Sequence, residues 1–158
     1  VVERAPEILK RVRYVEEKRA VQDFLYQIGH DTGLATYGEE EVKKSLHSGA
    51  VKTLLLSEGL STVRVTVKCT NCDYQREETM KEQVLLSYEQ SLVGQQCPKC
   101  ASTTLTVSET RDIIEDFAEL AEKAGAEVEV ISIETEEGQM LKNSFGGIAA
   151  TLRFKSSN

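Results

Sequence analysis

VRVTVKCTNC, residues 63–72, joins a strand pattern directly to a pair of cysteines, and this junction decides how the rest of the chain is interpreted. Val63, Val65 and Val67 alternate with polar residues, a period of two that is typical of a half-buried strand. A second cysteine pair, CPKC, occupies residues 97–100, and a similar strand pattern follows it around residues 105–107. We therefore expect these two strands to pair at the base of an insert that the cysteines organise.

The four cysteines, Cys69, Cys72, Cys97 and Cys100, form two Cys-x2-Cys pairs with none left over. Each pair can place two thiolates on one side of a tight loop, and two such loops give the tetrahedral sulfur coordination of a structural zinc ion. The separation of 24 residues between the pairs exceeds the common spacing of roughly 15–20, but a zinc ribbon can contain a longer segment between its two cysteine pairs. A disulfide framework and a thiol redox centre remain alternatives, although neither explains two matched pairs as well.

The flanking sequence predicts an α/β domain with a layered mixed sheet and flanking helices, interrupted by a zinc-ribbon-like mini-domain. Apolar residues at helical spacing, from Val21 to Ile28, predict a first helix that ends at Gly29. Further helices and strands then alternate at both ends of the chain, as in layered α/β proteins. The predicted division is residues 1–68 with 108–158 for the α/β domain and residues 69–107 for the mini-domain.

Charge and composition favour a protein partner over a nucleic acid or a membrane. The 158 residues carry a net charge of −7, and residues 108–145 hold eleven acidic against three basic side chains. Such a surface lacks the lysines and arginines that displace counterions from nucleic acid, but it suits a basic protein partner. No apolar run reaches the roughly 20 residues that span a bilayer, and no secretory leader is apparent. We expect a cytoplasmic protein and, because the chain begins at Val1, a piece of a longer polypeptide.

No stretch of the sequence carries a recognisable catalytic motif. There is no glycine-rich phosphate loop, nucleophile elbow or zincin helix, and the two histidines lie near predicted helix ends, away from any candidate nucleophile. We therefore expect no enzymatic activity and no small-molecule substrate for this chain.

Several stretches resemble the C-terminal domain of class 1 peptide chain release factors of archaea and eukaryotes. They are QIGHDTG at 27–33, YGEEEV at 37–42, SGAV at 48–51, GAEVEV at 125–130 and FGGIAATLRF at 145–154. Together they cover the chain from about Val15 to Phe154. The two cysteine pairs point to an archaeal member. One departure is visible, since Ala149 and Ala150 replace a second glycine pair that the family often has.

This resemblance implies a partner-binding module in translation termination. The implied fold is shared with ribosomal proteins that bind kink-turn RNA, and the implied partners are a translational GTPase of the elongation factor 1-alpha type, the ribosome and an ABC-type recycling ATPase. The family's hydrolytic Gly-Gly-Gln loop belongs to a different domain, so the similar tripeptide Gly94-Gln95-Gln96 is not interpreted as that motif. Alternatives are a Pelota-like ribosome-rescue domain and a kink-turn-type RNA-binding domain. The residues that the resemblance suggests for docking the GTPase are Phe24, Gln27, Asp31, Thr32, Ile148, Leu152 and Arg153.

Overall fold

The structure, a computed structural model, describes residues 5–155 and divides into two compact units. The first unit comprises the described residues up to Leu60 together with those from Phe117 onward, and the second runs from Ser61 to Asp116. The ends of the predicted α/β domain, residues 1–4 and 156–158, lie outside the described residues. No helix within the described range is both long and apolar enough to cross a lipid bilayer.

Helices and strands of the first unit alternate as the sequence predicts, with one additional short strand between the first two helices. In chain order, the elements are α1 (Ala5–Gly29), β1 (Ala35–Tyr37), α2 (Glu39–His47), β2 (Val51–Ser57), α4 (Ile113–Lys123), β6 (Glu127–Ile131), α5 (Glu136–Phe145) and β7 (Ile148–Leu152). Helix α4 is included here, although its first turn precedes Phe117.

The first unit is built on a mixed four-stranded sheet in the order β1-β7-β2-β6. Strand β6 runs parallel to β2, whereas β7 is antiparallel to both β2 and β1. Leu55 and Ala149 of the central strands pack with Phe24 of α1 and Leu141 of α5. The next residue along β2, Leu54, is also 0% exposed. Successive strand side chains point to opposite faces, so both faces of the sheet are covered. The predicted mixed α/β architecture is confirmed.

Helix α1 ends where the sequence predicts, but its exit does not depend on Gly29. Gly29 is the last helical residue, and the left-handed conformation falls on Asp31, with φ 50°. Aspartate is among the few non-glycine residues that tolerate this region. The hydroxyl of Thr32 donates to the Gln27 side-chain carbonyl at 2.6 Å, which ties the loop back to the last turns of the helix.

The second unit holds a separate three-stranded antiparallel sheet in the order β4-β3-β5. Its elements are β3 (Thr62–Cys69), β4 (Gln75–Lys81), a short 3₁₀ helix (Glu82–Val84), α3 (Leu85–Leu92) and β5 (Leu105–Asp112). The three alternating valines of β3 form its core with Leu92 and Leu105. Strand β3 pairs with β5, as the junction predicts, and Cys69 lies opposite Leu105.

The boundaries of this unit lie outside the predicted ones, at Ser61 and Asp116 instead of residues 69 and 107. The prediction assigned the first of the paired strands to the α/β domain. In the structure β3 hydrogen-bonds to β4 and β5, not to the four-stranded sheet. A strand belongs with the sheet that satisfies its backbone groups, so β3 and β5 are part of the inserted unit.

Candidate metal centre

The four cysteine side chains converge at one end of the second unit. Their sulfur atoms all lie within 4.8 Å of one another. Cys69 Sγ is 3.6 Å from Cys100 Sγ, and Cys72 Sγ is 3.6 Å from Cys97 Sγ, so each close pair joins one loop to the other. These distances are too long for a disulfide, which requires about 2.05 Å. All four cysteines are free thiols.

Two tight loops that follow β3 and precede β5 hold the sulfur atoms in place. In the first loop, Cys69 N–H donates to Tyr74 C=O at 3.0 Å, which closes the turn. In the second loop, Cys97 N–H donates to Ser102 C=O at 2.8 Å, and Ala101 adopts a left-handed conformation with φ 61°. The same backbone closure therefore occurs around both Cys-x2-Cys pairs.

Backbone N–H groups point at the sulfur atoms from the residue two positions further along. Asn71 N–H lies 3.4 Å from Cys69 Sγ, Tyr74 N–H lies 3.4 Å from Cys72 Sγ, and Lys99 N–H lies 3.4 Å from Cys97 Sγ. Donors of this kind favour thiolate over thiol. The backbone of the two loops thus favours negative charge on these three sulfur atoms.

Side chains around the cluster supply two further donors. The Thr104 hydroxyl lies 3.1 Å from Cys69 Sγ, and the Asn71 side-chain amide donates to Cys100 Sγ at 3.5 Å. The hydrogen bond with Thr104 is the main reason that the pKa of Cys69 falls to about 6. The hydrogen bond from Asn71 likewise lowers the pKa of Cys100.

The neighbouring thiols oppose the ionisation of Cys72. The Tyr74 N–H favours the thiolate of Cys72, but burial and the three neighbouring cysteines outweigh it and raise the pKa of Cys72 to about 12. A divalent ion removes this mutual repulsion, because it binds thiolates and supplies the opposite charge.

The geometry of the cluster fits a single tetrahedral ion. Four sulfur ligands at about 2.3 Å from a metal lie about 3.8 Å from one another. The two close pairs at 3.6 Å and the upper limit of 4.8 Å bracket that separation. Four sulfur ligands also leave no open coordination position, which is typical of a structural site.

Thr104 and Asn71 are part of the site but were not predicted from the sequence. Only the cysteines have a recognisable spacing, whereas the donors that surround them depend on how the loops close. Asn71 lies between the cysteines of its own pair and could have been suspected for that reason. Thr104 comes from the far side of the second loop, and no sequence signal marks it.

The comparisons with known proteins agree over almost the whole chain. A family described as eRF1 domain 3 matches residues 14–156. The chain belongs to this family. Peptide chain release factor subunit 1 of Pyrococcus abyssi is 47% identical over 155 residues, which are 98% of this chain and 37% of that protein. The corresponding factor of Methanocaldococcus jannaschii is 46% identical over 156 residues. The chain thus spans little more than a third of the curated release factors that it matches.

One solved structure supports this family, and a second shares the fold. The C-terminal domain of a peptide chain release factor from Methanosarcina mazei superposes with a TM-score of 0.83 at 39% identity, and the match covers 98% of this chain and 92% of that one. Archaeoglobus fulgidus Pelota superposes with a TM-score of 0.58 at 23% identity, over 99% of this chain and 35% of that one. At that identity the Pelota similarity concerns the fold alone.

The seven predicted docking residues of this eRF1 domain 3 chain do not all reach the surface. Phe24 is 0% exposed, and Ile148 and Leu152 are 5% exposed, so a partner cannot contact them without rearrangement. The resemblance suggested these three residues, and in the structure they face the core of the first unit. Asp31 and Arg153 are exposed, and Gln27 and Thr32 are half-buried. The docking role itself stays a prediction, and it now concerns these last four residues.

Proposed function

We propose that this domain acts in translation termination as the partner-binding C-terminal module of an archaeal class 1 release factor, and that it docks a translational GTPase of the elongation factor 1-alpha type. The observation that carries the proposal is the 47% identity to an archaeal release factor subunit over 98% of the chain. Catalysis is assigned to the parts of the release factors that this chain does not cover. The ribosome and an ABC-type recycling ATPase are further proposed partners, in the cytoplasm.

The proposed docking surface lies at the end of α1 and the end of β7. Asp31 presents a carboxylate and Arg153 a guanidinium, and both side chains are exposed. Arg153 Nη2 donates to the carbonyl of Gly125, which restrains the guanidinium. Leu152 N–H donates to Leu34 C=O at 2.8 Å, so a backbone hydrogen bond joins the segment after α1 to the end of β7. A restrained guanidinium suits a specific protein interface, because less side-chain entropy is lost on binding.

Capture by a GTPase tests this assignment. An archaeal elongation factor 1-alpha loaded with GTP should bind the immobilised chain, and Asp31→Asn combined with Arg153→Gln should weaken binding about tenfold, since two charge interactions are removed. Asparagine tolerates the left-handed conformation at position 31. The matched control Glu40→Gln/Lys44→Gln changes one charge of each sign on α2 and should bind like the unaltered chain. Equal weakening by both pairs, or no capture at all, would remove this docking surface from the proposal.

We further propose that the four cysteines hold one structural zinc ion and that the second unit is a zinc-ribbon-like mini-domain. Support comes from the sulfur separations and from the N–H groups that point at them. The ion would supply positive charge that permits four thiolates to coexist in a largely buried cluster. Elemental analysis of freshly reduced protein should give about one zinc per chain. Iron or no metal in that preparation would contradict the assignment.

Two other functions, ribosome rescue and RNA binding, can be distinguished from docking of a GTPase. A Pelota-like rescue role rests on similarity of fold, and we rank it lower because its relative is only 23% identical. A kink-turn-type RNA-binding role and the related ribosomal-protein fold follow only from the resemblance. Specific RNA binding would appear as submicromolar affinity with a steep dependence on salt concentration. The net charge of −7 favours the protein partner.

A further inference from the structure

Strand β6 forms one border of the four-stranded sheet. It pairs with β2 on one side, and no other strand in the described part of the chain pairs with its outer side. The edge of a sheet presents unpaired N–H and C=O groups that can add a further strand. Such edges are used for peptide recognition, in which backbone hydrogen bonds provide affinity and alternate side chains provide specificity.

A groove of about 450 Å³ lies beside β6, between this strand, β2 and α1. Residues of α1, β2 and β6 line it, with four carboxylates and two cationic side chains among them: Glu16, Asp23, Glu127, Glu129, Arg19 and Lys52. The groove therefore carries a net charge of −2, that is, two positive charges against four negative ones. A ligand with positive charge fits this balance.

The carboxylates of the groove are close enough to repel one another. Burial is the first cause that raises the pKa of Glu129, and the negative charges of Glu16, Glu17 and Glu127 raise it further. Glu17 is paired with Arg13 at 2.8 Å, but the described residues form no such pair with Glu127 or Glu129. A cation placed beside β6 would therefore relieve repulsion that the free domain retains.

The register of β6 defines the pattern of a complementary strand. Glu127 and Glu129 lie opposite Thr53 and Leu55 of β2, and they share a face of the sheet because strand side chains alternate. Val128 and Val130, which are half-buried, lie on the other face. An added strand would place every second side chain beside the glutamates and the others beside the valines. A second copy of this chain fits poorly, since edge-to-edge pairing would bring the two sets of glutamates together.

We propose that the outer edge of β6 binds an extended basic segment of a protein partner by strand addition, with lysine or arginine at alternate positions and apolar residues between them. This interaction surface is additional to the proposed GTPase docking surface and does not depend on it. The acidic groove selects the charge of the segment, the backbone edge selects its extended conformation, and the alternation of Glu127 to Val130 selects its sequence pattern.

Nuclear magnetic resonance with a capped peptide, Lys-Val-Lys-Val-Lys, tests the proposal on the isotope-labelled 158-residue chain. Binding should shift the amide signals of β6 and of the α1 residues that line the groove. A scrambled peptide, Lys-Lys-Val-Val-Lys, has the same charge and should bind about tenfold more weakly, because it cannot place all lysines on one face. A peptide with methylated backbone nitrogens should also lose affinity, since it cannot donate to the edge.

Substitutions in the chain complete the test. Glu127→Gln/Glu129→Gln should weaken the alternating peptide about tenfold by removing two surface charge interactions. Glu77→Gln/Glu109→Gln is the matched control, because it removes two exposed glutamates from strands β4 and β5 of the other unit. The proposal fails if the three peptides bind equally, if both pairs of substitutions have the same effect, or if the shifts avoid β6. Concentration-dependent shifts of β6 without peptide would instead identify a second copy as the occupant and overturn the assigned partner.

Discussion

At the scale of single residues, Gly138 shows how closely the backbone of α5 approaches the preceding loop. The Thr135 side chain caps this helix by accepting from Gly138 N–H at 3.0 Å. A Cβ atom at position 138 would lie 1.7 Å from the carbonyl oxygen of Ser132. The obstacle is backbone, which cannot rotate away as a side chain can, so the first turn of α5 requires glycine here.

We expect Gly138→Ala to destabilise the first unit by about 3 kcal/mol, the upper part of the range for overpacking a closed site. Gly29→Ala is the matched control. Gly29 is the last residue of α1 and has open space around its Cα, so alanine there should change stability by less than about 1 kcal/mol. Urea unfolding monitored through residues of the first unit distinguishes the two. If both variants had the same free energy of unfolding, the close approach of residue 138 to the Ser132 carbonyl would not determine stability.

The raised pKa of Glu129 predicts a dependence of stability on pH with a defined sign. Burial and neighbouring carboxylates raise its pKa above the ordinary value of 4.5, so the folded chain binds the proton more tightly than the unfolded chain. Stability therefore falls as the pH rises through this range. Glu129→Gln should raise the melting temperature slightly at neutral pH and have a smaller effect near pH 4, roughly where the carboxyl is protonated.

Thermal unfolding at the two pH values measures this difference. Glu122→Gln provides the control, because Glu122 is an exposed glutamate on α4 of the same unit. A stabilisation by Glu129→Gln that is equal at both pH values would mean that repulsion within the groove is not its cause. The expected gain also agrees with a surface that is arranged for a cationic partner at the expense of the free domain.

At the scale of helices and strands, periodicity predicted the elements whose apolar residues face a core. The predicted end of α1 at Gly29 and the predicted pairing of the strand at residues 63–67 with that at 105–107 are both observed. Strand β1 is only three residues long, which is too short for any period to appear. Strand β4 places Arg76 and Glu78 on its inner face, so it lacks the apolar alternation of β3. Helix α3 has an exposed leucine, Leu86, at 66% exposure, which obscures its amphipathic pattern.

If the four cysteines hold the proposed zinc ion, its removal should unfold the second unit selectively. Its buried core consists of only seven residues, and two of these, Cys69 and Cys97, are proposed ligands. A unit of this size is only marginally stabilised by the apolar surface that it buries, whereas binding of structural zinc contributes roughly 10–16 kcal/mol in comparable peptides. The first unit has its own sheet and its own core.

Hydrogen exchange read by mass spectrometry measures the two units separately. After treatment with a zinc chelator under reducing conditions, deuterium uptake should rise across residues 61–116 and change little across the rest of the described chain. Cys72→Ser/Cys97→Ser should reproduce the effect without chelator, and Ser57→Ala should not, since Ser57 lies in β2 of the first unit. Simultaneous loss of protection in both units would contradict independent folding, and unchanged protection in residues 61–116 would contradict a structural metal.

At the scale of the whole molecule, the sequence predicted that the four cysteines converge, but it did not predict which of the suggested docking residues are exposed. A metal site needs a fixed set of donor atoms, and the spacing of Cys-x2-Cys is a local property of the chain. A docking surface depends on which side of an element faces outward. Helical spacing places Phe24 on an apolar face of α1, but only the folded structure shows that α5 and the sheet cover that face.

A chimeric release factor tests the proposed role in its full setting. This chain would replace the corresponding C-terminal part of the Pyrococcus abyssi release factor subunit, to which it is 47% identical. If the domain serves as a docking module, the chimera should release peptide from stalled termination complexes at a rate close to that of the unaltered factor, and it should be captured by elongation factor 1-alpha with GTP. The isolated chain should release no peptide, because the resemblance assigns hydrolysis to a different domain.

Variants of the chimera separate docking from chemistry. Asp31→Asn/Arg153→Gln should reduce capture by the GTPase while peptide release at saturating factor concentration persists, since the reacting groups lie elsewhere. The control Glu40→Gln/Lys44→Gln should change neither property. A chimera that folds and binds zinc but is not captured would limit the domain to ribosome contact. Loss of hydrolysis with intact capture would instead show that this domain positions the hydrolytic domain, which a docking module alone does not do.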